Sequence, residues 1–343
     1  MKKDRRPMST STVLGYAAKS VGNSLEPIVY DSPELGENDV KVAIAHCGVC
    51  YTDIQAIEDY YGITKYPFIP GHEIVGSVTE LGNSVTTLNI GDRVGIGWQG
   101  RSCGHCEWCR QGEVQLCQDI ANASSMEPYG GFSSSITIDS RFAYRLPDRL
   151  PSEYAAVLMC AGLSVFNPLR KYASQIPQKI GIVGLGGLGH LAIQFAHHLN
   201  YEVTVISTSP DKKAEALAFG ADDFIVNERS SLKKIDYGLD LLLVTSHGAI
   251  QTERLLMTLR KNGIFILVGF PDINFNSTDL VAHQLTMAGA FLGNQATMRE
   301  MLAFADSHSI KPCIEVMPMS SVVEALKRVR ENKARYRIVL TND

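Results

Sequence analysis

The segment Lys179–Gly189, written KIGIVGLGGLG, joins a short apolar run to a glycine-rich turn and constrains the fold more than any other stretch of the 343-residue chain. Its glycines follow the pattern GxGxxG, directly after a predicted strand and directly before a predicted helix. In that context the glycines allow a tight turn, close approach of a pyrophosphate, and packing of the helix on the strand. The helix N-terminus adds unpaired N–H groups. We predict a dinucleotide site formed by Gly184, Gly186, Gly187, Leu188 and Gly189; the weaker alternative is a glycine turn without a ligand.

From about residue 155 onward, apolar strands alternate with helical stretches. The predicted strands are Lys179–Val183, Val203–Ile206, Phe224–Val226, Leu241–Val244 and Ile264–Gly269. The helix that follows the glycine loop carries one apolar stripe at helical spacing, formed by Leu188, Leu191, Ala192, Phe195, Ala196 and Leu199. Strand–helix alternation of this kind predicts a doubly wound parallel sheet.

Residues 40–150 have a different pattern, in which short β runs such as VKVAIAHC and EIVGSVTELG end at glycines. The glycines that punctuate these runs are Gly71, Gly76, Gly82, Gly91 and Gly95. This pattern predicts a compact β-rich domain beside the parallel sheet. Two domains also suit a chain of this length. The tail after about residue 297, which ends in ARYRIVL, is expected to pack back onto the first domain.

The residues after the second predicted strand of the parallel sheet indicate which dinucleotide binds. Sites for NAD usually place an Asp or Glu about 20 residues beyond the glycine loop, where it bonds the ribose 2′-hydroxyl. In this chain the strand VTVI runs into STSPDK at 207–212, with no acid at the strand end. Hydroxyls and a lysine suit a 2′-phosphate, so we predict NADP(H), bound by Ser207, Thr208, Ser209 and Lys212. Ser209 is equally suited to cap a helix with Pro210 at its first position, and both roles are compatible.

Four cysteines in one short loop predict a structural metal site. Their thiols match the closed tetrahedral set of a structural zinc ion, and they are Cys103, Cys106, Cys109 and Cys117. Disulfides are the weaker alternative, because they are rare in a reducing compartment. A zinc ribbon for nucleic acid would need a basic face, whereas this loop carries Glu107 and Glu113 against Arg101 and Arg110.

Composition excludes several classes of protein. The net charge is −4, with 45% hydrophobic and 20% charged residues, which is ordinary for a globular protein and does not suggest nucleic-acid binding. No apolar run approaches the about 20 residues that a membrane span needs. The N-terminal MKKDRRPMSTSTVLG is basic but has no apolar core, so it does not match a signal peptide. We predict a cytoplasmic location.

Four motifs then occur in a fixed order: GHE at residues 71–73, the four-cysteine loop, MCAG at residues 159–162, and GLGGLG. This order resembles the zinc-dependent medium-chain alcohol dehydrogenases, and most closely the branch of cinnamyl-alcohol dehydrogenases and NADPH-dependent broad-range aldehyde reductases. The resemblance covers nearly the whole chain. It implies an α/β protein with a GroES-like zinc-binding catalytic domain at 1–158 and 297–343, and a Rossmann dinucleotide-binding domain at 159–296.

The resemblance assigns roles around CGVCYTD at residues 47–53, where the family pattern is GVCHTD or GVCHSD. It implies that a second, catalytic zinc ion is bound by Cys50, His72 and Cys160, and that Glu73 can approach the metal. Cys47 has no role in that pattern, and a thioredoxin-like pair with Cys50 lacks the βαβ context that such a motif needs. Spacing alone does not predict this site.

Four further residues in or next to this motif bear on proton transfer and ligand orientation. We expect Asp53 to bond the far nitrogen of His72; the alternative is that it caps a helix starting near Ile54. Thr52 matches the family hydroxyl that passes the substrate proton towards the nicotinamide ribose. Tyr51 stands where the family has a histidine, and Gln55 where many members carry the histidine that hands the proton to solvent. Because Gln does not titrate, the final step of the relay needs another route.

The resemblance also suggests a substrate pocket and a dimer. Trp98 and Tyr61 match positions where bulky aromatics flank the substrate, although both also suit an ordinary core. Arg337 matches an arginine near the cofactor phosphates, with a solvated terminal arginine as the alternative. A homodimer formed by the dinucleotide domains is implied, with a contact near Ala288–Leu292.

The implied function is reversible hydride transfer between NADP(H) and a primary alcohol or aldehyde, with two zinc ions per subunit. The sequence leaves three alternatives to this function. A zinc-free, quinone-reductase-like member is disfavoured by the complete ligand sets, and a non-enzymatic zinc-binding module by the complete catalytic set. An NAD-linked alcohol or polyol dehydrogenase is disfavoured by the missing acid after the second strand.

Overall fold

The computed structural model describes residues 12–119, 129–172 and 178–342. Residues 1–11 of the basic N-terminal segment considered above lie outside these ranges. The chain forms two compact units. Unit 1 comprises the residues up to Met159, Glu315–Ala334, and the residues from Ile338 on; unit 2 comprises Cys160–Ile314 and Arg335–Arg337.

Unit 1 is built mainly from strands. In chain order they are β1 (Thr12–Ala17), β2 (Glu26–Asp31), β3 (Asp39–Val49), β4 (Glu73–Leu81), β5 (Arg93–Ile96), β6 (Ser135–Asp139), β7 (Ala143–Arg145), and, near the C-terminus, β14 (Ile314–Pro318) and β15 (Arg337–Thr341). β1 and β2 form an antiparallel pair, and the other seven strands form a sheet of order β14-β15-β3-β4-β5-β7 in which β6 also pairs with β3. The predicted β-rich domain is present.

β3 is the central strand of this sheet and pairs antiparallel with β4, β6 and β15. Its pairing with β15, in which Ile338 lies opposite Val49, brings the C-terminal tail back to unit 1. β4 is buried over most of its length, which suits a strand with neighbours on both edges. In the β3–β4 register, Gly48 lies opposite Glu73.

The helices of unit 1 are short. They are α1 (Tyr51–Ile57), α2 (Glu107–Arg110), α3 (Ser152–Val157) and α11 (Val322–Arg330), with 3₁₀ turns at Val114–Leu116, Ser140–Phe142 and Met319–Ser321. α3 packs on β3 and β4 and continues into a π-helical turn at Leu158–Gly162. Met159 in that turn is fully buried, and a Cβ placed on Gly95 of β5 would lie 2.5 Å from the Met159 Sδ. The turn is therefore fixed on the sheet.

Unit 2 alternates strands and helices, as the sequence predicts. Its strands are β8 (Lys179–Val183), β9 (Glu202–Ser207), β10 (Asp223–Val226), β11 (Leu239–Val244), β12 (Leu259–Leu267) and β13 (Thr286–Gly289). Its helices are α4 (Leu163–Lys171), α5 (Gly189–His198), α6 (Lys213–Ala218), α7 (Arg229–Leu232), α8 (Thr252–Leu256), α9 (Ser277–Ala282) and α10 (Gln295–Ser307), with 3₁₀ turns at Pro210–Lys212 and Lys233–Ile235.

The six strands of unit 2 are all parallel, in the order β10-β9-β8-β11-β12-β13. This order reverses direction between β8 and β11, and in open sheets of this type ligands bind beyond the carboxyl ends of the strands at such a point. The predicted doubly wound sheet is confirmed. The glycine loop that follows β8 therefore lies at the reversal.

The predicted apolar stripe of α5 lies largely in the core. Leu191, Ala192, Phe195 and Ala196 are all completely buried, whereas Leu188 and Leu199 at the two ends of the stripe are half-buried. Gly189, His190 and Ile193 of α5 are buried as well, so burial extends beyond the predicted stripe, and the exposed residues are His197 and His198 at the end of the helix.

The two units divide the chain later than the sequence suggested. The predicted return to the first domain was at residue 297, whereas unit 2 extends to Ile314 and includes α10. The physical reason is aromatic packing, since the Phe304 ring of α10 lies 5.4 Å from the Phe166 ring and 6.0 Å from the Phe195 ring, both in unit 2.

None of the helices within the described ranges combines the length and hydrophobicity needed to cross a membrane.

Candidate metal centres and dinucleotide site

The junction of β3 and α1 presents the second cysteine of CGVC. Cys50 follows β3 directly, has an extended backbone with φ −109° and ψ 153°, and stands at the N-cap of α1. Its backbone N–H donates to the Oδ2 of Asp53 at 2.8 Å. A carboxylate three residues into a helix is well placed to accept such an N–H. Asp53 thereby fixes the position of Cys50 at the end of the strand.

The same carboxylate orients His72. The Oδ1 of Asp53 accepts the backbone N–H of Gly71 at 3.0 Å and lies 3.0 Å from the Nδ1 of His72. Asp53 and His72 are both completely buried. The expected contact with His72 is present, whereas the alternative of a helix that starts near Ile54 with Asp53 as its cap is not: α1 starts at Tyr51, Cys50 is its N-cap, and Asp53 is its third residue. The remaining ring nitrogen of His72, Nε2, is buried without a hydrogen-bond partner.

The electrostatic surroundings of His72 favour positive charge. Burial alone lowers its pKa, but the Asp53 carboxylate and Cys50 outweigh burial and raise the pKa well above the ordinary value for histidine. A carboxylate and a thiol that converge on one buried point create a position where a cation is stabilised.

Glu73 enters the same region because of a glycine. Gly48 and Glu73 lie opposite each other in β3 and β4, and a Cβ placed on Gly48 would lie only 2.0 Å from the Glu73 Oε2. Only glycine at position 48 leaves room for this completely buried carboxylate. This role of Gly48 was not predicted from the sequence. A prediction of the β3–β4 register, which pairs the glycine of CGVC with the glutamate of GHE, would have indicated it.

Cys160 completes the cluster from the π-helical turn at Leu158–Gly162. Cys50, His72, Glu73 and Cys160 each offer one ligand atom, and these four atoms all lie within 4.8 Å of one another. Cys47 does not belong to the cluster; it is completely buried, and its Sγ lies 3.6 Å from the carbonyl oxygen of Gly48. Burial raises the pKa of Cys47 well above the usual value for a thiol.

The donor set of this cluster fits zinc. Two thiolates and an imidazole are ligands that zinc binds in catalytic sites with a fourth position left open. The unpartnered Nε2 of His72, held by the Asp53 contact at Nδ1, is the donor such an ion requires.

The four-cysteine loop forms a second cluster within unit 1. The thiols of Cys103, Cys106, Cys109 and Cys117 all lie within 4.8 Å of one another. The Sγ of Cys103 lies 3.5 Å from that of Cys117 and 3.9 Å from that of Cys109. These distances bracket the about 3.8 Å edge of a tetrahedron with metal–sulfur bonds of about 2.3 Å. All eight cysteines of the chain are free thiols in the structure.

The protonation of these thiols also points to a cation. Backbone N–H groups, with that of Gln118 first, lower the pKa of Cys106 to about 6. Burial and then the Cys106 thiol raise the pKa of Cys109 to about 12. The two shifts have different causes, and a cation between the four thiols would favour the ionised form of each of them. A closed zinc site fits this arrangement.

The other predicted residues near α1 have these positions. Thr52 lies in the first turn of α1 and is half-buried, whereas Tyr51 is exposed. Gln55 is buried and its Oε1 accepts a hydrogen bond from the Tyr61 hydroxyl at 2.9 Å. Trp98 follows β5 and is 9% exposed. Tyr61 and Gln55 are therefore brought together, a contact that the sequence did not indicate.

The glycine loop in unit 2 has a distinct role for each glycine. Gly184 has a left-handed φ of +95°, and a Cβ on Gly189 would lie 2.0 Å from the Gly184 carbonyl oxygen. A Cβ on Gly187 would lie 2.7 Å from the Cδ of Arg337. A Cβ on Gly186 would meet no atom within 4 Å. The left-handed φ explains Gly184, packing within the chain explains Gly187 and Gly189, and the open space at Gly186 is what close approach of a phosphate would require.

The segment after β9 adds polar and basic groups to unit 2. Ser207 is the last residue of β9, and its Oγ accepts the backbone N–H of Ser209 at 3.2 Å. Ser209 stands at the N-cap of the 3₁₀ turn, with Pro210 next, but its side chain makes no capping hydrogen bond. Thr208 is exposed. The Nζ of Lys212 donates to the Leu185 carbonyl oxygen at 2.9 Å, which places this cation at the glycine loop.

Comparison with known proteins identifies both units. The family model described as "Alcohol dehydrogenase GroES-like domain" matches residues 36–148, and the model described as "Zinc-binding dehydrogenase" matches residues 187–307.

Similar proteins match nearly the whole chain. A probable cinnamyl alcohol dehydrogenase of Oryza sativa subsp. japonica is 36% identical over 97% of this chain and 97% of its own length. A cinnamyl alcohol dehydrogenase structure from Sorghum bicolor superposes with a TM-score of 0.92 at 36% identity, covering 96% of this chain and 98% of that one. The structure of a CAD from Helicobacter pylori complexed with NADP(H) has a TM-score of 0.88 at 28% identity, again covering 96% and 98%.

Proposed function

The chain belongs to the zinc-dependent medium-chain alcohol dehydrogenases, in their cinnamyl-alcohol-dehydrogenase branch, and from this premise we propose that it interconverts primary alcohols and aldehydes with NADP(H) as the hydride carrier. We propose aldehyde reduction as the favoured direction. The proposed interconversion of alcohols and aldehydes rests on one observation: Cys50, His72 and Cys160, which are far apart in the sequence, bring their ligand atoms together.

Cys50, His72 and Cys160 would hold the catalytic zinc ion, and the four-cysteine loop a structural one. When bound at the first site, zinc supplies a Lewis acid that polarises a carbonyl oxygen. Glu73 is close enough to this site to act as a further ligand. The contribution of Asp53 is to keep the Nδ1 of His72 occupied, so that Nε2 faces the metal.

The chain's own proton path begins at Thr52, whose hydroxyl would accept the proton from an alcohol or return it to the product of reduction. Gln55 does not continue the path by titration, since its side chain is an amide; its Oε1 accepts a hydrogen bond from the Tyr61 hydroxyl. In this proposal Tyr61 and Trp98 flank an apolar substrate, and an aromatic or aliphatic aldehyde suits such a pocket.

The cofactor would lie along the glycine loop of unit 2 and supply the hydride. Gly184, Gly186, Gly187, Leu188 and Gly189 would receive the pyrophosphate, with Arg337 beside them. Two features support NADP(H) over NAD(H): β9 ends at Ser207 without an acid, and Lys212 lies at the glycine loop. The assignment of the catalytic role to the first domain and of cofactor binding to the second belongs to the same proposal.

The test is kcat/KM for NADPH and for NADH, measured on one preparation of zinc-replete protein with cinnamaldehyde. We expect NADPH to be preferred by tenfold or more, which corresponds to about 1.4 kcal/mol in transition-state stabilisation. Equal values, or a preference for NADH, would contradict the cofactor assignment and favour an NAD-linked alcohol or polyol dehydrogenase. Absence of turnover with every aldehyde, in protein that holds two zinc ions, would contradict the enzymatic function itself.

The cytoplasmic location and the homodimer remain predictions. For the dimer, β13 is the last strand in the order of the six-stranded sheet, and an edge strand is a ready site for pairing with a second copy. Light scattering of the purified protein measures its molecular mass in solution and so distinguishes a dimer from a monomer.

A further inference from the structure

We infer that Tyr336 is a positioning residue whose ring holds Lys212 against the glycine loop, so that a cofactor with a 2′-phosphate is preferred over one without it. The inference rests on the proposed use of NADP(H). All the residues involved belong to unit 2.

Lys212 is held between two uncharged groups. Its Nζ lies 5.2 Å from the centre of the Tyr336 ring and donates to the Leu185 carbonyl oxygen at 2.9 Å. Within the described ranges it forms no salt bridge, and the contacts described for its Nζ are this carbonyl oxygen and this aromatic face. A lysine side chain is flexible and loses conformational entropy when it is fixed. The ring and the carbonyl fix this one before any phosphate arrives, which lowers the cost of binding.

Tyr336 is itself firmly placed. It is 6% exposed, and its hydroxyl donates to the Glu215 carboxylate. Its ring stacks on His190, with centroids 5.1 Å apart and planes 12° apart, and meets Phe219 edge-on at 5.7 Å. The ring therefore presents a fixed face to Lys212.

Glu215 attracts Lys212 through space but forms no salt bridge with it within the described ranges; burial raises the pKa of Glu215, whereas Tyr336, Arg335 and Lys212 together lower it. One oxygen accepts from Arg335 and the other from the Tyr336 hydroxyl. Arg335 is therefore the direct ion-pair partner of Glu215. The lysine keeps its charge for a ligand, and an ammonium group of this kind is a good partner for phosphate.

His190 contacts the next residue of the glycine loop, Gly186. It is completely buried; its Nδ1 lies 3.1 Å from the Gly186 carbonyl oxygen, and its Nε2 accepts the backbone N–H of Cys313 at 3.2 Å. Since Nε2 accepts, the ring is neutral with its proton on Nδ1, which donates to Gly186. The carbonyls of Leu185 and Gly186 are thus bound by two side chains that both contact the Tyr336 ring.

Arg337, the neighbour of Tyr336, meets the third residue of the loop. A Cβ on Gly187 would lie 2.7 Å from the Cδ and 3.0 Å from the Nη1 of Arg337. Leu185, Gly186 and Gly187 are consequently contacted by three side chains arranged around one tyrosine. Loss of the Tyr336 ring is expected to release Lys212 first, because the ring is the only group besides the Leu185 carbonyl described in contact with the Nζ.

The experiment measures dissociation constants of NADPH and NADH by fluorescence titration of the full-length, zinc-replete protein. The variants are Tyr336→Met, Tyr336→Phe, Lys212→Met and the double variant Tyr336→Met/Lys212→Met. Methionine fills the space without an aromatic face, and phenylalanine keeps the face but loses the bond to Glu215. Tyr237→Leu, at an exposed tyrosine of unit 2, is the matched control. Adenosine 2′,5′-bisphosphate and 5′-AMP repeat the measurement without the nicotinamide.

Tyr336→Met is expected to weaken NADPH binding about tenfold and NADH binding less than about twofold. Tyr336→Phe and Tyr237→Leu should keep the wild-type ratio of the two constants. In the double variant the ratio should equal that of Lys212→Met alone, because Tyr336 acts through Lys212.

Two outcomes would overturn the inference while the wild type still prefers NADPH. In the first, Tyr336→Met weakens the binding of NADPH and NADH equally and so keeps the wild-type ratio of the two dissociation constants. In the second, the effects of Tyr336→Met and Lys212→Met on that ratio are additive. If the wild type binds both cofactors equally, the proposed NADP(H) preference fails and the inference fails with it. If Tyr336→Met does not fold, as judged by circular dichroism, Tyr336→Leu takes its place. A loss of discrimination in Tyr336→Phe would also overturn the role assigned to the ring.

Discussion

The two cysteine-containing clusters differ in how the chain brings their ligands together. The four-cysteine loop is local, since all its ligands lie between Cys103 and Cys117. The other cluster takes Cys50 from the end of β3, His72 and Glu73 from the start of β4, and Cys160 from a π-helical turn. A local set forms wherever its loop folds, whereas a dispersed set depends on the strand register and on the helix that packs on the sheet.

The two clusters also differ in chemistry. Four thiols fill a tetrahedral site and leave no position for a substrate. The dispersed cluster has two thiols and an imidazole, with a carboxylate near them, and its histidine is oriented by a buried Asp53. We therefore expect the dispersed cluster to govern the reaction and the local cluster to govern stability.

The largest expected effect comes from comparing the two cysteines of CGVC. Cys50→Ala removes a ligand, and we expect kcat/KM for cinnamaldehyde reduction to fall by about 10³-fold or more, because the Lewis acid contributes several kcal/mol. Zinc content, measured by plasma mass spectrometry, should fall from two ions per subunit to one.

Cys47→Ala is the matched control for that change. Cys47 is completely buried and outside the cluster, so its replacement should cost about 1 kcal/mol in unfolding free energy and leave two zinc ions. If Cys47→Ala abolished turnover and Cys50→Ala did not, the assignment of the ligand would be wrong.

A smaller effect is expected for Asp53→Asn. The carboxylate accepts from the backbone N–H groups of Cys50 and Gly71 and contacts the His72 Nδ1, so an amide in its place must direct its NH₂ group at one of these donors. We expect zinc affinity at this site and kcat/KM to fall by about 10- to 100-fold. Competition with a chelator measures the affinity.

Asp92→Asn is the control for Asp53→Asn, since Asp92 also accepts a backbone N–H, from Asn89 at 2.7 Å, but lies outside both clusters. It should leave zinc affinity unchanged. Equal zinc affinity in Asp53→Asn and the wild type would mean that the carboxylate does not orient His72.

The smallest effect on the reaction is expected for Cys106→Ala in the four-cysteine loop. Loss of a zinc ion here should lower the midpoint of thermal unfolding by roughly 4 °C, as a loss of about 3 kcal/mol does in a protein of this size. At a temperature where the variant stays folded, its kcat/KM should remain within about threefold of the wild type.

Cys313→Ala, in unit 2, should change neither the thermal midpoint nor the zinc content, because His190 binds the backbone N–H of Cys313 rather than its thiol. A Cys106→Ala variant that kept its stability but lost turnover would break the proposed division between the two clusters.

Several features of the fold could be predicted because they depend on short stretches of sequence. The strand–helix alternation predicted the parallel sheet of unit 2. The apolar stripe of α5 predicted that Leu191 and Phe195 are buried. The end of the second unit was predicted too early, because nothing in the local sequence says that Phe304 packs on Phe166 and Phe195. The ligand set of the dispersed cluster came from family resemblance, since its spacing follows no metal pattern.

By itself, the sequence determined the glycine loop, the four-cysteine loop and the alternation of elements, because each depends on residues close together in the chain. Only the tertiary structure decided that Gly48 must make room for Glu73, that one Asp53 carboxylate serves both Cys50 and His72, and that Tyr336 stacks on His190. Apart from the contact of Asp53 with Cys50, these contacts join residues that are distant in sequence. Their formation is fixed by strand register and by packing in the interior, where a shift of one residue would turn every side chain of a strand to the opposite face.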